Sequence, residues 1–185
     1  MNEKSEKSRR RPNDPGRRDR IISAALLTIA RLGVSDTNHR SIAEEAGVPL
    51  GSLTYYFSGL DEIFGEAFSK FAKSVSGRLY EVLSNARNRE EAKIAVVDFL
   101  ADETEHKEQE MVLSFELYAY ASRRTFFKGI MLEWLEASRR ALELHFTPAE
   151  ARSIDAIIEG VTIHNATSPH LISRDEMQDM IDKLA

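Results

Sequence analysis

Large apolar residues recur at helical spacing between positions 64 and 82, and they predict the longest element of the chain. They step by four, three, four, four and three residues: Phe64, Phe68, Phe71, Val75, Leu79 and Val82. Such a stripe is typical of an amphipathic helix with one buried face. We therefore expect a helix from about residue 61 to residue 86, roughly 40 Å long at about 1.5 Å per residue.

A shorter apolar stripe precedes this helix and predicts the first one. Its members are Ile21, Ile22, Ala25, Leu26, Ile29 and Leu32. Asp14 followed by Pro15 favours a helix start, because the aspartate can cap and the proline fits the first turn. Gly33 follows the last apolar position and is expected to end the helix in a left-handed conformation.

The sequence RSIAEEAGVPLGSLTYYF, residues 40–57, predicts two helices too short to be stable alone. The first is expected from His39 to Ala46. Ala43 would let a second helix cross closely, Gly47 permits the positive φ of a tight turn, and Leu53 is expected to face inward. Short helices joined at a steep angle by a turn containing glycine indicate a helix-turn-helix.

The rest of the chain is also predicted to be helical, since the alternation typical of strands is scarce. The expected bounds are 90–103, 108–122, 124–145, 148–165 and 174–184. The predicted fold class is all-α. We expect a disordered basic arm over 1–13, a helix-turn-helix domain over 14–60 and a helical domain over 61–185.

Charge changes this picture, because a chain of net charge −5 has a basic end. Residues 1–60 hold ten Lys/Arg and seven Asp/Glu, whereas the remainder holds fifteen and twenty-three. A basic end on an acidic body indicates contact with a polyanion. The lack of cysteine excludes disulfides and thiolate metal sites. No apolar run reaches the roughly 18 residues of a membrane span, so we expect a cytoplasmic protein without a membrane partner.

The segment DRIISAALLTIARLGVSDTNHRSIAEEAGVPLGSLTYYFSGLDEIFGEAF resembles the DNA-binding domain of the TetR family of transcriptional regulators. The shared pattern is an amphipathic helix ending in glycine, then Ile-Ala, three residues, Gly-Val, a Gly-Ser-Leu…Phe segment and a long fourth helix. Two positions depart from it. Thr54 stands where the family usually has tyrosine, and Leu60 where it commonly has lysine; both family residues typically touch phosphate. Backbone N–H groups at the start of the fourth helix are expected to hold a phosphate instead.

The resemblance implies a recognition helix from about Leu50 to Tyr56 whose outward residues face DNA. Thr37 or Asn38 is expected to cap the preceding helix, to contact phosphate, or both. Arg40 is expected at a base edge or phosphate, with a surface pair to Glu44 as the alternative. The predicted DNA-binding residues are Arg17, Arg18, Thr37, Asn38, His39, Arg40, Pro49, Leu50, Gly51, Ser52, Thr54, Tyr55 and Tyr56.

Aromatic residues concentrate in the second part of the chain, where twelve of the fifteen follow residue 60. Aromatics at helical spacing usually form a core, but the resemblance implies a ligand cavity between the fourth helix and its neighbours. The predicted lining is Phe68, Phe71, Phe99, Phe115, Tyr118 and Trp134.

The last long helices carry apolar stripes that the resemblance assigns to a dimer interface, with a purely intrachain core as the alternative. The predicted interface residues are Met131, Leu135, Leu142, Ile154, Ile157, Ile158 and Val161. Two recognition helices about one DNA turn apart, roughly 34–36 Å, would suit a palindrome.

The predicted function is that of a ligand-responsive homodimeric repressor that binds a palindromic DNA operator and is released by a small apolar effector. One alternative is a regulator or activator without a small-molecule switch. A second is an enzyme on a helical scaffold, but no phosphate loop or nucleophile motif supports it. Glu103, His106 and Glu110 share a helix face, yet such charge runs are usually solvated, so we expect neither a metal nor a cofactor.

Overall fold

The computed structural model describes residues 14–102 and 105–185, and the regular structure of these residues is entirely helical, as predicted. The helix ends lie within three residues of the expected positions. None of the described helices is long and apolar enough to cross a membrane. The helices are α1 (Arg17–Asp36), α2 (His39–Glu45), α3 (Gly51–Tyr56), α4 (Leu60–Ser84), α5 (Arg89–Ala101), α6 (Glu105–Arg123), α7 (Thr125–Leu142), α8 (Pro148–Thr167) and α9 (Arg174–Asp182).

Both ends of α1 differ from the prediction. The helix begins at Arg17, and Asp14 instead closes a turn ahead of it, where its Oδ1 accepts the Gly16 N–H at 3.2 Å. Gly33 has a positive φ of 75°, but its ψ is 165°, which is outside the left-handed helical region. This backbone region is essentially restricted to glycine. The chain kinks there and then resumes a helical turn to Asp36.

The two short helices are held together by local caps and by burial. Asn38 caps α2, since its Oδ1 accepts the N–H groups of Arg40 and Ser41 at 3.0 and 3.2 Å. Gly47 has a φ of 62°, and the following Val48 N–H donates to the Ala43 carbonyl at 3.0 Å. A positive φ with this hydrogen bond closes the helix end tightly. Glycine therefore plays the predicted role in the turn between α2 and α3.

Buried apolar residues form two clusters along the long axis of α4. The first joins α1, α2 and α3 with the first half of α4 and with α6 and α7. The second joins the end of α4 with α5, α8, α9 and the end of α7. The helix-turn-helix therefore shares its core with helices that follow residue 60, and α4 passes through both clusters.

Arg89, the first residue of α5, ties three parts of the chain together. It donates to Glu150 Oε1 at 2.7 Å and to the main-chain oxygen of Ala185 at 2.7 Å. Its guanidinium lies 5.3 Å from the centre of the Phe146 ring. The two hydrogen bonds of Arg89 fix Ala185 against the start of α8.

Candidate DNA-binding surface and effector cavity

Helix α3 projects from the first cluster with one face buried and one face exposed. Leu53 is fully buried and Phe57 is 4% exposed, whereas Leu50 is 48% and Tyr55 is 79% exposed. The Tyr55 ring stands edge-on against Tyr56, with ring centres 4.9 Å apart. An exposed leucine and tyrosine at the start and end of a six-residue helix are available to a partner molecule.

The outward orientation predicted for α3 holds for most positions and is wrong for Ser52, and Thr37, another residue of the predicted DNA-binding set, is also buried. Ser52 is only 9% exposed because it adjoins Leu53 on the protein side of the helix. Thr37 is 4% exposed, and its hydroxyl donates to the Gly33 carbonyl at 2.7 Å. Thr37 therefore stabilises the kinked end of α1. The exposed residues are Asn38, Arg40, Pro49, Leu50, Gly51, Thr54 and Tyr55, and His39 and Tyr56 are half-buried.

Ion pairs engage most of the arginines in the predicted DNA-binding region. Arg18 donates to both carboxylate oxygens of Glu66 and lies 4.9 Å from the centre of the Phe57 ring, so it fastens α1 to α4. Arg17 is 4.0 Å from Asp14, and Arg20 is 2.7 Å from the same carboxylate. Among the described residues no ion pair joins Arg40 to Glu44 or to another carboxylate. Arg40 is therefore the available cation of this surface.

The start of α4 does not favour the phosphate contact suggested by its backbone. Asp61 and Glu62 lie in its first turn. Glu62 Oε2 accepts both the N–H and the hydroxyl of Ser58 at 2.7 Å. Leu60 is half-buried against the first cluster. Asp61 pairs with Arg124 at 2.6 Å, which leaves Glu62 as the carboxylate that opposes a phosphate at this helix end.

A cavity of about 90 Å³ lies between α4, α5, α6, α7 and α8. Four of the six aromatic residues predicted to line a ligand cavity form its wall: Phe99, Phe115, Tyr118 and Trp134. Phe68 and Phe71 do not line it. Phe68 is fully buried against Phe127, and Phe71 is 5% exposed with its ring 5.4 Å from Trp134. The Phe71 ring therefore supports the Trp134 side of the wall from within the core.

The cavity also contains charged groups that apolar spacing did not predict. Asp155 and Glu159 contribute from α8, and Lys107 and Glu110 from α6. Burial raises the pKa of Asp155, while its hydrogen bond from Arg139 Nε at 3.0 Å opposes that effect. A sequence signal does exist, because two carboxylates one turn apart interrupt the apolar stripe of α8.

Helix α6 connects the cavity with the helix-turn-helix through two side chains. Glu116 Oε2 accepts the Val34 N–H at 3.0 Å, at the kink of α1. Tyr120 donates to Asp61 Oδ1 at 2.7 Å, at the start of α4. Burial and this hydrogen bond raise the pKa of Tyr120 to about 12, so the phenol remains a donor. Phe115 and Tyr118, on the same helix, line the cavity.

Four of the seven residues predicted for the dimer interface are instead buried inside the single chain. Leu142 and Ile154 are fully buried, Val161 is 4% exposed and Met131 is 8% exposed. They belong to the intrachain core that was left open as the alternative. Leu135, Ile157 and Ile158 are half-buried. The exposed large apolar residues on α7 and α8 are Phe126, Leu132 and Ile163, at 66%, 57% and 41%.

The described residues contain no cluster of His, Asp and Glu that could hold a metal ion. Glu103 and the side chain of His106, which formed the candidate metal set with Glu110, lie outside the described part of the structure, as does the basic arm over 1–13.

Comparison with known proteins places this geometry in a family. The family model for bacterial regulatory proteins of the tetR family matches residues 21–67. The structure of SCO7518, a candidate transcriptional regulator from Streptomyces coelicolor A3(2), is 39% identical, with a TM-score of 0.86 over 92% of this chain and 98% of that chain. The multidrug binding protein EbrR complexed with ethidium is 26% identical, with a TM-score of 0.74 over 91% of this chain and 98% of that chain. The HTH-type transcriptional regulator PksA from Bacillus subtilis strain 168 is 24% identical over 89% of this chain and 86% of its own length. The chain belongs to the TetR family of transcriptional regulators.

Proposed function

We propose that this regulator is a homodimeric repressor that binds a palindromic operator and releases it when a small molecule enters the cavity. The observation that carries the proposal is the exposure of Leu50 and Tyr55 on a helix anchored by Leu53. A free domain gains nothing from an exposed leucine and tyrosine there. In the major groove, the same side chains can contact thymine methyl groups and base edges.

The contacts on DNA divide into positioning and base recognition. Arg40 and Tyr56, at the edges of the surface, are assigned to phosphate, and Arg40 is the cation that no described carboxylate neutralises. Pro49, Leu50 and Gly51 form the leading end of α3, and Gly51 has open space where a Cβ would stand. The backbone can therefore approach a base edge closely.

Dimerisation follows from the limited reach of one recognition helix. A six-residue helix contacts few base pairs, and two copies double the contacts on a symmetric site. We assign the interface to the outer faces of α7 and α8, where Leu132 and Ile163 are exposed. Gly160 lies near Ile163 with nothing within 4 Å of its Cβ position, so a partner helix has room to pack closely.

The switch is assigned to α6, which contacts both the cavity and the DNA-binding helices. A ligand that displaces Phe115 or Tyr118 would shift α6. That shift would move Glu116 against the α1 kink and Tyr120 against Asp61. Only a difference in ligand affinity between the two conformations can change operator affinity. EbrR is a multidrug binding protein with the same fold, which supports a ligand role for the cavity.

Selection of duplexes from a random DNA pool tests the proposal with the full-length protein. We expect enrichment of a palindrome whose half-sites are related by about one helical turn or a multiple of it. Tyr55→Ala should abolish enrichment without loss of stability, because Tyr55 is 79% exposed. Recovery of an asymmetric site, or equal enrichment with Tyr55→Ala, would contradict the proposed surface.

The alternative of a regulator without a switch predicts a different result. In that case no compound that raises the melting temperature would change operator affinity. Competition measurements with the selected duplex separate the two functions, since an effector must bind the cavity and weaken DNA binding together.

A further inference from the structure

The α8 side of the cavity has more negative than positive charge. Asp155 and Glu159 both face the cavity, and the Asp155 side chain is 7% exposed. Arg139 pairs with Asp155 at 3.0 Å. Within residues 14–102 and 105–185, no cation forms an ion pair with Glu159. Arg139 therefore balances Asp155 alone, and the charge of Glu159 adds to burial in raising the pKa of Asp155.

The group that contacts Glu159 is neutral. Tyr118 donates its hydroxyl to Glu159 Oε1. Burial and this hydrogen bond raise the pKa of Tyr118, so the phenol stays protonated. A neutral donor orients this half-buried carboxylate but does not balance its charge. The cavity is therefore left with a negative charge that a ligand can compensate.

The walls around this carboxylate are aromatic. The Tyr118 and Trp134 ring centres are 6.4 Å apart and their planes are tilted by 38°. At the other end, Lys107 Nζ lies 4.5 Å from the centre of the Phe99 ring and donates to the Phe99 carbonyl at 2.6 Å. One ring of the cavity thus already holds an ammonium group. Aromatic faces attract cations, and most strongly when water is excluded.

An anionic ligand does not fit the same surroundings. Glu110 and Asp155 are paired with Arg78 and Arg139, but an anion would still face Glu159. Lys107 would have to leave its contacts with Phe99 to bind the anion. Burial lowers the pKa of Lys107, so this lysine is a weaker anchor for an anion. A neutral ligand would leave the charge of Glu159 without a counter-charge. A cationic ligand satisfies both the carboxylate and the rings.

The size of the cavity limits the group that enters it. A volume of about 90 Å³ has room for roughly six water-sized groups, at about 15 Å³ each. This space suits a compact alkylated ammonium. A wider depression of about 480 Å³ shares Lys107, Met111 and Thr162 with the cavity. A longer ligand could extend into that depression while its head remains inside.

We propose that the effector is a small organic cation whose alkylated ammonium head lies beside Glu159 and against the Tyr118 and Trp134 rings. The inference rests on the proposed function, in which this cavity binds the effector. It narrows the expected small apolar effector to a positively charged class, with the apolar contacts supplied by the methyl groups of the head.

Choline and its neutral isostere 3,3-dimethylbutan-1-ol test the inference, because they differ chiefly in the charge of the head. Titration calorimetry on full-length protein should give at least about tenfold tighter binding of choline. Glu159→Gln should weaken choline binding by at least about tenfold and leave the binding of the alcohol unchanged. Glu133→Gln is the matched control, since Glu133 is exposed on the outside of α7.

Equal affinity for the two compounds, no choline binding, or unchanged choline affinity in Glu159→Gln would overturn the inference. Operator binding is measured on the same preparations. If choline fails while the selected duplex is bound, the cation assignment is wrong and the regulator proposal stands. If choline binds as expected but no duplex is bound, the cation assignment stands and the regulator proposal fails.

Discussion

Arg40→Ala should remove the main cation of the folded DNA-binding surface and thereby weaken operator binding. The charge balance of this part of the chain shows why. Residues 14–60 hold five arginines, no lysine and five acidic residues, a net charge of zero. Four of these arginines lie within ion-pair distance of a carboxylate. Arg40 remains, exposed in the first turn of α2.

The expected magnitude follows from counterion release. Each phosphate contact contributes about −0.9 to the slope of log affinity against log salt, so two copies of Arg40 in a dimer contribute about −1.8. Between about 50 and 200 mM salt this corresponds to about 1.1 log units, or roughly a twelvefold change in the affinity ratio of the native protein to the variant. If Arg40 contacts a base instead, the loss is about 1–3 kcal/mol and is confined to the cognate sequence.

Fluorescence anisotropy with the selected duplex, repeated at several salt concentrations, measures the slope. Arg31→Ala is the matched control, because the Arg31 side chain is also exposed but pairs with Glu45 at 3.5 Å. We expect its slope to match that of the native protein. Identical slopes and affinities for Arg40→Ala and the native protein would refute the assignment of Arg40 to DNA.

Three further predictions concern the core, the switch and acid stability. Leu53→Ala removes a fully buried side chain and should lower the free energy of unfolding by about 2–5 kcal/mol in urea titrations followed by circular dichroism; a loss below about 1 kcal/mol would contradict the anchoring role. Glu116→Gln weakens the acceptor of the Val34 N–H and should reduce effector-induced loss of operator affinity while effector binding is kept, with Glu133→Gln unchanged. Arg89 and the Thr147 cap lower the pKa of Glu150 to about 2 from 4.5, so Glu150→Gln should destabilise the protein at pH 7. That difference should disappear as the pH falls from about 4.5 to about 2, because Glu150 becomes protonated in both states; a difference that persists at pH 2 would exclude the charge as its cause.

The helices were predictable from the sequence because each one buries a stripe with helical spacing. The caps were less predictable. Asp14 and Pro15 carry the signal of a helix start, yet Asp14 closes a turn and α1 begins at Arg17. Gly33 showed the expected need for positive φ, but local sequence does not reveal that a carboxylate from α6 accepts the next N–H group. That contact joins residues far apart in the chain.

Burial of individual side chains was harder to predict, since spacing does not identify the partner of an apolar face. Leu142 and Ile154 share their stripes with exposed neighbours, and only the packing of α7 on α8 shows that they face inward. Ser52 lies about 100° around α3 from Leu53, and in so short a helix this brings it toward the protein. Asp155 and Glu159 resemble solvated surface charges in the sequence, but α6 and α7 cover them to form the cavity wall.

The core shared by α1, α2 and α3 with α6 and α7 has a consequence for engineering. The DNA-reading part of this regulator is not a detachable module, because a cut after residue 60 would expose the apolar faces that α4, α6 and α7 cover. A chimera that joins these three helices to the sensory part of a relative would have to carry over the matching surfaces of α6 and α7. Under the proposed function, new operator specificity is therefore more readily obtained by replacing exposed side chains of α3 than by exchanging whole segments.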